Sequence, residues 1–331
     1  MDARAILFMG VNQVSVEAIQ LPDLAADEAL VEVEYTCVSP GTELRCLRGQ
    51  QPNLLPFPFI PGYASVGRVI AVGAAAAANI TLGMPVFAGG TEKANRGILW
   101  GGHISHVIKA AHKLIPIPDS LDLREAALAK LAAIAYHGLR LSQPQPHETV
   151  CVVGLGIIGQ LAARLHALSG ARVCAFDLSA ARVAQANSNG VEAFVAADGI
   201  RHTASQVLPN GADVIVDATG VPNVLGEAIS LARPLAWDDS PIRGTRLLIQ
   251  GSYPSDVPLP YQAAFANEIS FYVPRDSQPR DLVAILDLLA RGKLHIQDLI
   301  GTVSAPQAAE SVYRSLQTGE LLTAIFDWKL P

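Results

Sequence analysis

At 331 residues the chain exceeds the length at which one hydrophobic core usually stops growing, so two domains are expected. Half of it is hydrophobic, its formal net charge is −6 and it has no basic run, which argues against nucleic acid or an anionic membrane as partner and for a small molecule. The start, Met1-Asp2-Ala3-Arg4, lacks the layout of a secretory leader, and no apolar run reaches the ~18 residues of a membrane span, so a soluble cytoplasmic protein is expected.

The first part, to about residue 119, reads as short strands broken by Gly and Pro: Ala3 to Met9, Ala29 to Val38, Ala64 to Val72, Met84 to Ala88 and His106 to Ala110. That is an all-β, barrel-like pattern. Ala74 to Ala78 sits between Gly73 and a turn at Asn79 to Gly83 and is expected to be a surface loop. From Leu123 to about Leu141 the apolar spacing becomes helical, until Pro144 to Glu148 breaks it.

Strands then alternate with helical stretches: Thr149 to Val153, Arg172 to Phe176, Ala193 to Val195, Asp213 to Asp217, Leu247 to Ile249 and Ile269 to Val273. This alternation predicts a doubly wound parallel sheet, giving an α/β chain. An amphipathic helix over Asp281 to Arg291, another over Pro306 to Leu316 and a terminal strand Ala324 to Trp328 are expected to rejoin the first domain. The simplest arrangement is a split β domain, residues 1–119 and 276–331, with a sheet domain of residues 120–275 inserted in it.

The most informative stretch is Gly154-Leu155-Gly156-Ile157-Ile158-Gly159 between the first strand and first helix of the inserted domain. A lone G-x-G-x-x-G is weak, but an apolar β-branched run before it and a helical run after it supply the context that gives it meaning. Gly154 permits the tight turn, Gly156 lets backbone approach a pyrophosphate and Gly159 lets helix and strand pack closely, while the Ile157 and Ile158 amides face the anion. Asp177 ends the next strand about twenty residues on, where a carboxylate bonds a ribose 2′-hydroxyl, so NAD is expected. Arg182, one helical turn later, leaves NADP possible. Thr219 and Gly220 after the fourth strand and Gly251 after the fifth lie at carboxyl strand ends, where ligands bind in such sheets.

Cys37, Cys46, Cys151 and Cys174 show no C-x-x-C spacing, so neither a disulfide framework nor a zinc cluster is indicated.

The order of parts resembles the medium-chain dehydrogenase/reductase superfamily, on the strength of Pro61-Gly62-Tyr63-Ala64-Ser65-Val66-Gly67, the Gly154 to Gly159 turn and Asp213 to Gly220. The resemblance implies a GroES-like β-barrel-type domain, an inserted Rossmann domain and a homodimer. Val38-Ser39-Pro40-Gly41-Thr42-Glu43, Ala133-Ile134-Ala135-Tyr136-His137 and Phe326-Asp327-Trp328-Lys329 look closest to the branch of bacteriochlorophyllide dehydrogenases, which implies a secondary alcohol or its ketone, with a hydroxyethyl tetrapyrrole as one substrate.

This sequence departs from the zinc-binding pattern of that superfamily. The place of the first ligand is Pro40, that of the second, after Gly62, is Tyr63, and that of the third is Lys130. Proline, tyrosine and a cationic lysine supply no thiolate, imidazole or carboxylate, so no metal is expected. The proton-handling candidates are Thr42, which the resemblance places where a hydroxyl relays the alcohol proton, together with Tyr63, Lys130 and Glu43. Lys130 has several readings: an ammonium that stabilises a developing alkoxide or lowers the pKa of Tyr63, an ion pair with Glu43, or a solvated helix residue. His103 is expected to be satisfied in the core or on the surface, and His106 and His137 to be structural. Two further functions stay open: an enone or quinone reductase, and a non-catalytic NAD-binding redox sensor.

Overall fold

The strand Glu28–Cys37 is the spine of the β unit, because most of its even and odd neighbours alternate between full and partial burial and both its edges are paired. It runs antiparallel to Ser65–Val72, His106–Ala110 and Ile325–Asp327, so the chain's end closes a sheet begun near its start. A Cβ on Gly67 would lie 2.0 Å from the Glu32 carbonyl, which is why the bulged crossing of these strands has glycine there. A second sheet joins Asp2–Gly10, Gln13–Gln20, Phe59–Ile60 and Gly97–Ile98. The two sheets share one core, with Phe8, Phe59, Tyr313 and Phe326 among its largest buried side chains.

This is a computed structural model, and it describes residues 1–236, 244–253 and 256–331. Among the elements of the β unit outside the expected pattern are the strand Gln13–Gln20, the helix Pro40–Leu47 and the short strands Phe59–Ile60 and Gly97–Ile98. Residues 74–78 form a turn, as expected.

The chain divides into two units, Met1–Lys130 with Leu286–Pro331, and Leu131–Ile285. The divisions fall inside the helices Leu123–Ser142 and Pro279–Ala290.

The second unit holds a six-stranded parallel sheet ordered Glu192–Val195, Arg172–Asp177, Thr149–Val153, Val214–Asp217, Arg246–Ile249, Ser270–Tyr272. Strand order reverses between Thr149–Val153 and Val214–Asp217, and the crevice at the carboxyl ends of these two strands is the binding position of such sheets. Arg246 ties the sheet to the end of the long helix: Nη1 donates to Ser142 O at 2.6 Å and Gln143 O at 3.0 Å, and Nη2 lies 2.5 Å from Glu148. The thiols of Cys37, Cys46 and Cys174 are pushed up to about 12 by burial, and burial pushes that of Cys151 up as well, so all four side chains act as small apolar filling. Among the described residues no helix is long and apolar enough to cross a membrane.

His166 couples this packing to pH. It is fully buried on the helix Ile157–Leu168, with Nδ1–H donating to Ala162 O at 2.8 Å and Nε2 3.4 Å from Ser142 Oγ. Burial lowers its pKa from 6.5 to about 4. The unfolded chain therefore takes up this proton first as pH falls, so stability is fully present above about 6.5 and declines toward 4, by about 3 kcal/mol in all. Urea unfolding of His166→Gln across that range should lose most of this pH dependence; a slope equal to the parent's would assign it to other groups.

Candidate functional site

The glycine turn of the second unit has the geometry of a phosphate cradle. Gly154 is left-handed at φ +88°, and a Cβ on Gly159 would lie 1.8 Å from the Gly154 carbonyl, so both positions require glycine. A Cβ on Gly156 would meet nothing within 4 Å, so that glycine leaves open space rather than resolving a clash within the protein. Gly156 also caps the helix Ile157–Leu168 with no side-chain cap, so the amides of its first turn, Ile157, Ile158 and Gly159, have no partner within the helix. Glycine that opens space beside uncapped amides fits a dinucleotide pyrophosphate.

Asp177 stands beside this turn. Its Oδ2 accepts from Leu155 N at 2.6 Å and its Oδ1 from Ser179 N at 2.8 Å, so the carboxylate fixes both the glycine turn and the start of the next helix. A carboxylate has about four acceptor positions, which leaves capacity for ribose hydroxyls. Arg182 Nη1 lies 3.7 Å from Asp177 Oδ2, a loose pair in which the guanidinium keeps donors for other acceptors.

Across the switch point, Asp217 is fully buried and organises the facing loop. Its Oδ1 accepts from Thr219 N at 2.9 Å and Thr219 Oγ1 at 2.7 Å, and its Oδ2 accepts from the Tyr253 hydroxyl. The Thr219 hydroxyl also accepts from Val221 N at 3.1 Å, so it serves the loop's own structure and Thr219 would meet a ligand chiefly through backbone. Gly220 is left-handed at φ +67°, and a Cβ on Gly251 would lie 2.4 Å from Gly220 N, so these two loops touch through backbone. Burial, then the bond to Asp217, pushes the Tyr253 phenol well above its usual range, so it serves as a fixed donor. Sequence reasoning missed Tyr253; the only signal was its place two residues after Gly251.

In the first unit a buried polar chain lies behind the other candidates. Glu43 is fully buried, accepting from Ser39 N at 2.7 Å, pairing with His103 Nε2 at 2.8 Å and accepting from the Tyr313 hydroxyl at 2.5 Å. His103 Nδ1 lies 2.8 Å from Thr36 Oγ1, which also accepts from Trp328 Nε1 at 3.1 Å. Gly62, at φ +81°, makes room for the imidazole, because a Cβ there would lie 2.6 Å from the His103 ring.

This arrangement corrects the expectation for Glu43. With no exposed surface and its oxygens engaged by Ser39, His103 and Tyr313, the carboxylate holds the start of the helix Pro40–Leu47 and is not placed to give a proton to substrate, and the ion pair with Lys130 that was one of the readings is not among its contacts. Lys130 Nζ instead lies over the Tyr63 ring, 5.9 Å from its centroid. Tyr63 donates its phenolic proton to Ser39 Oγ at 2.5 Å and packs edge-on against Trp100 with ring centroids 5.3 Å apart. Thr42 is half-buried in the first turn of the helix Pro40–Leu47, close in sequence to Ser39. The structure thus joins Tyr63 to Lys130 and adds Ser39 and Tyr313, which sequence reasoning had not singled out. His103 is satisfied in the core, and His137 pairs with Asp281 at 3.1 Å.

The donor set at the three metal-ligand positions does not fit zinc. Pro40 offers no donor, Lys130 is a cation, and Tyr63 brings a phenol in place of a thiolate, imidazole or carboxylate. Among the described residues no three His, Cys, Asp or Glu side chains gather in a way that holds a metal.

Known proteins share this architecture. The family model of the alcohol dehydrogenase GroES-like domain matches residues 25–119, and that of the zinc-binding dehydrogenases matches residues 158–236. A 2-desacetyl-2-hydroxyethyl bacteriochlorophyllide A dehydrogenase of Cereibacter sphaeroides is 28% identical over 340 residues, covering 99% of each chain. An alcohol dehydrogenase from Thermus sp. ATN1 superimposes with a TM-score of 0.82 at 24% identity, over 98% of this chain and 99% of its own. A short chain alcohol dehydrogenase of Escherichia coli CFT073 complexed with NADH does so with a TM-score of 0.84 at 21% identity, over 99% of each chain. At these identities the two structures establish the fold, a GroES-like domain with a Rossmann domain. The chain is an oxidoreductase of the zinc-type alcohol dehydrogenase kind and belongs to the medium-chain dehydrogenase/reductase superfamily.

Proposed function

We propose that this protein is a zinc-independent, NAD(H)-linked oxidoreductase acting on a secondary alcohol or its ketone. The observation that carries the reading is the replacement of the metal-ligand positions by Pro40, Tyr63 and Lys130, with the phenol and the ammonium side by side. When bound, the nicotinamide supplies or accepts the hydride. The protein's own work is then to hold the dinucleotide and to manage the proton on the substrate oxygen. Gly154, Gly156 and Gly159 with the first amides of the helix receive the pyrophosphate, Asp177 receives the ribose, and Thr219, Gly220 and Gly251 line the backbone beyond the switch point. Tyr63 exchanges the proton, Lys130 offsets the charge that develops, and Thr42 is a second hydroxyl in the same helix turn as Ser39.

The full-length likeness to a dehydrogenase named for a hydroxyethyl bacteriochlorophyllide supports a bulky, planar substrate with a 1-hydroxyethyl or acetyl group. So does Trp100, which is 40% exposed beside Tyr63. Titrating the protein with NADH and then screening aryl alcohols, aryl ketones, enones and quinones tests the reading. Turnover of alcohols and ketones is expected. Turnover confined to enones or quinones would make it a reductase of activated double bonds, and NADH binding with no turnover would make it a sensor.

A homodimer completes the proposal. The strand Ser270–Tyr272 pairs on one side with Arg246–Ile249 and forms an edge of the sheet, and next to it Val273 is 70% and Tyr261 61% exposed. Val273→Asp should convert a dimer to monomer in sedimentation equilibrium, and an unchanged mass would place the interface elsewhere.

A further inference from the structure

We infer that Ser39 is a positioning residue for the Tyr63 phenol, completing a Ser39–Tyr63–Lys130 set that handles the substrate proton; this rests on the alcohol/ketone reading above. The phenol donates to Ser39 Oγ at 2.5 Å, and Ser39 is only 7% exposed, so this oxygen is a fixed acceptor rather than a surface hydroxyl. Its backbone is held from both sides. Ser39 N donates to Glu43 at 2.7 Å, and the preceding Val38 is pinned by its N–H to Ala324 O at 2.9 Å and by Thr323 Oγ1 donating to its carbonyl at 2.8 Å. The buried Glu43–His103–Thr36 chain therefore has a function consequence: it fixes the oxygen that aims the phenol.

Cationic side chains stand around the phenol. Lys130 Nζ lies over the ring, 5.9 Å from its centroid, and Arg45 is half-buried on the helix Pro40–Leu47, where burial lowers its pKa and the neighbouring Cys46 and Tyr63 work against that shift. Lys109 adds a third cation near Lys130, with its Nζ donating to Ala88 O at 2.7 Å. Glu43, the carboxylate of the buried Glu43–His103–Thr36 network, accepts from the Ser39 backbone N–H.

In ketone reduction a bound reduced nicotinamide would supply the hydride to the carbonyl carbon, while the Tyr63 O–H turns from Ser39 Oγ to the carbonyl oxygen, breaks, and gives its proton to the new alcohol O–H. The phenolate left behind is offset by Lys130 and Arg45, and Ser39 turns from acceptor to donor toward it until solvent returns a proton. Oxidation runs the same transfers in reverse. A hydroxyl is required for this reversal because it can both accept and donate, which alanine cannot.

The test needs neither substrate nor cofactor. The full chain carrying tyrosine labelled at Cζ is titrated by NMR, with the Tyr63 signal assigned by its loss in Tyr63→Phe. Ser39→Ala and Lys130→Met should each move the Tyr63 titration upward by ~0.5 pH unit or more, because each removes a partner of the phenolate. Ser39→Thr, which keeps the hydroxyl, should restore the parental titration, and thermal melts verify that each variant is folded. A folded Ser39→Ala whose Tyr63 titrates as in the parent would overturn the inference. Failure of the alcohol/ketone reading shows elsewhere, as absent turnover in a protein whose Tyr63 responds as described.

Discussion

Tyr63→Phe is expected to lower turnover by ~10²-fold or more and to leave NADH binding at parental strength, because under the proposed function it removes the general acid–base hydroxyl and keeps the ring. The ring packs edge-on against Trp100 and under Lys130, contacts that phenylalanine preserves. The dinucleotide cradle is built from residues of the other unit, so its affinity is an internal control. Lys130→Met is expected to lower turnover as well and to displace the pH–rate profile, since it removes the cation that faces the phenol. A structural ion pair would behave otherwise, with a lowered melting temperature and unchanged turnover. Steady-state rates at saturating cofactor, measured beside thermal melts, separate these outcomes. Near-parental turnover in both variants would remove Tyr63 and Lys130 from the chemistry and leave Thr42.

Asp177→Ser is expected to change cofactor choice, raising NADP affinity relative to NAD by tenfold or more. Two effects add. A 2′-phosphate brings one to two negative charges close to a carboxylate that is only 9% exposed, a repulsion of about 1–3 kcal/mol at an intermediate dielectric, and serine removes it. Serine also loses an acceptor for the ribose hydroxyls of NAD. Because Asp177 holds the Leu155 and Ser179 amides, the variant loosens the glycine turn and both absolute affinities fall. The ratio is therefore the quantity to read, by fluorescence titration with NADH and NADPH. An unchanged ratio would mean that the ribose is bound elsewhere.

Much of this was legible in the sequence because it rests on local rules. The glycine turn announces itself by spacing and context, and each strand of the parallel sheet is a short apolar run before a helix, a pattern set by burial on both faces. The strand Gln13–Gln20 does carry alternation, in Val14, Val16 and Ala18, but none of these three is fully buried, so the signal is weak beside that of its partner Asp2–Gly10. The helix Pro40–Leu47 opens on Pro-Gly, which reads as a turn, and its buried face includes Glu43, whose charge hides the helical spacing of Cys46 and Leu47.

What could not be read was the pairing of groups far apart in the chain. Glu43 meets His103 and Tyr313 across 60 and 270 residues, and Tyr63 meets Ser39 across 24. Such contacts follow from how strands register, which no local spacing encodes. Hence Lys130 had two open partners in sequence, and only the fold turned it toward Tyr63 and gave Glu43 to the core.

Under the proposed function Pro40, the Tyr63 phenol and the Lys130 ammonium occupy the positions where the family resemblance expects zinc ligands, which is tested by the metal content of the purified chain together with its turnover before and after chelation. The account predicts far less than one zinc per chain and a rate that chelation leaves unchanged. Stoichiometric zinc, with activity that disappears on its removal and returns on its addition, would contradict it.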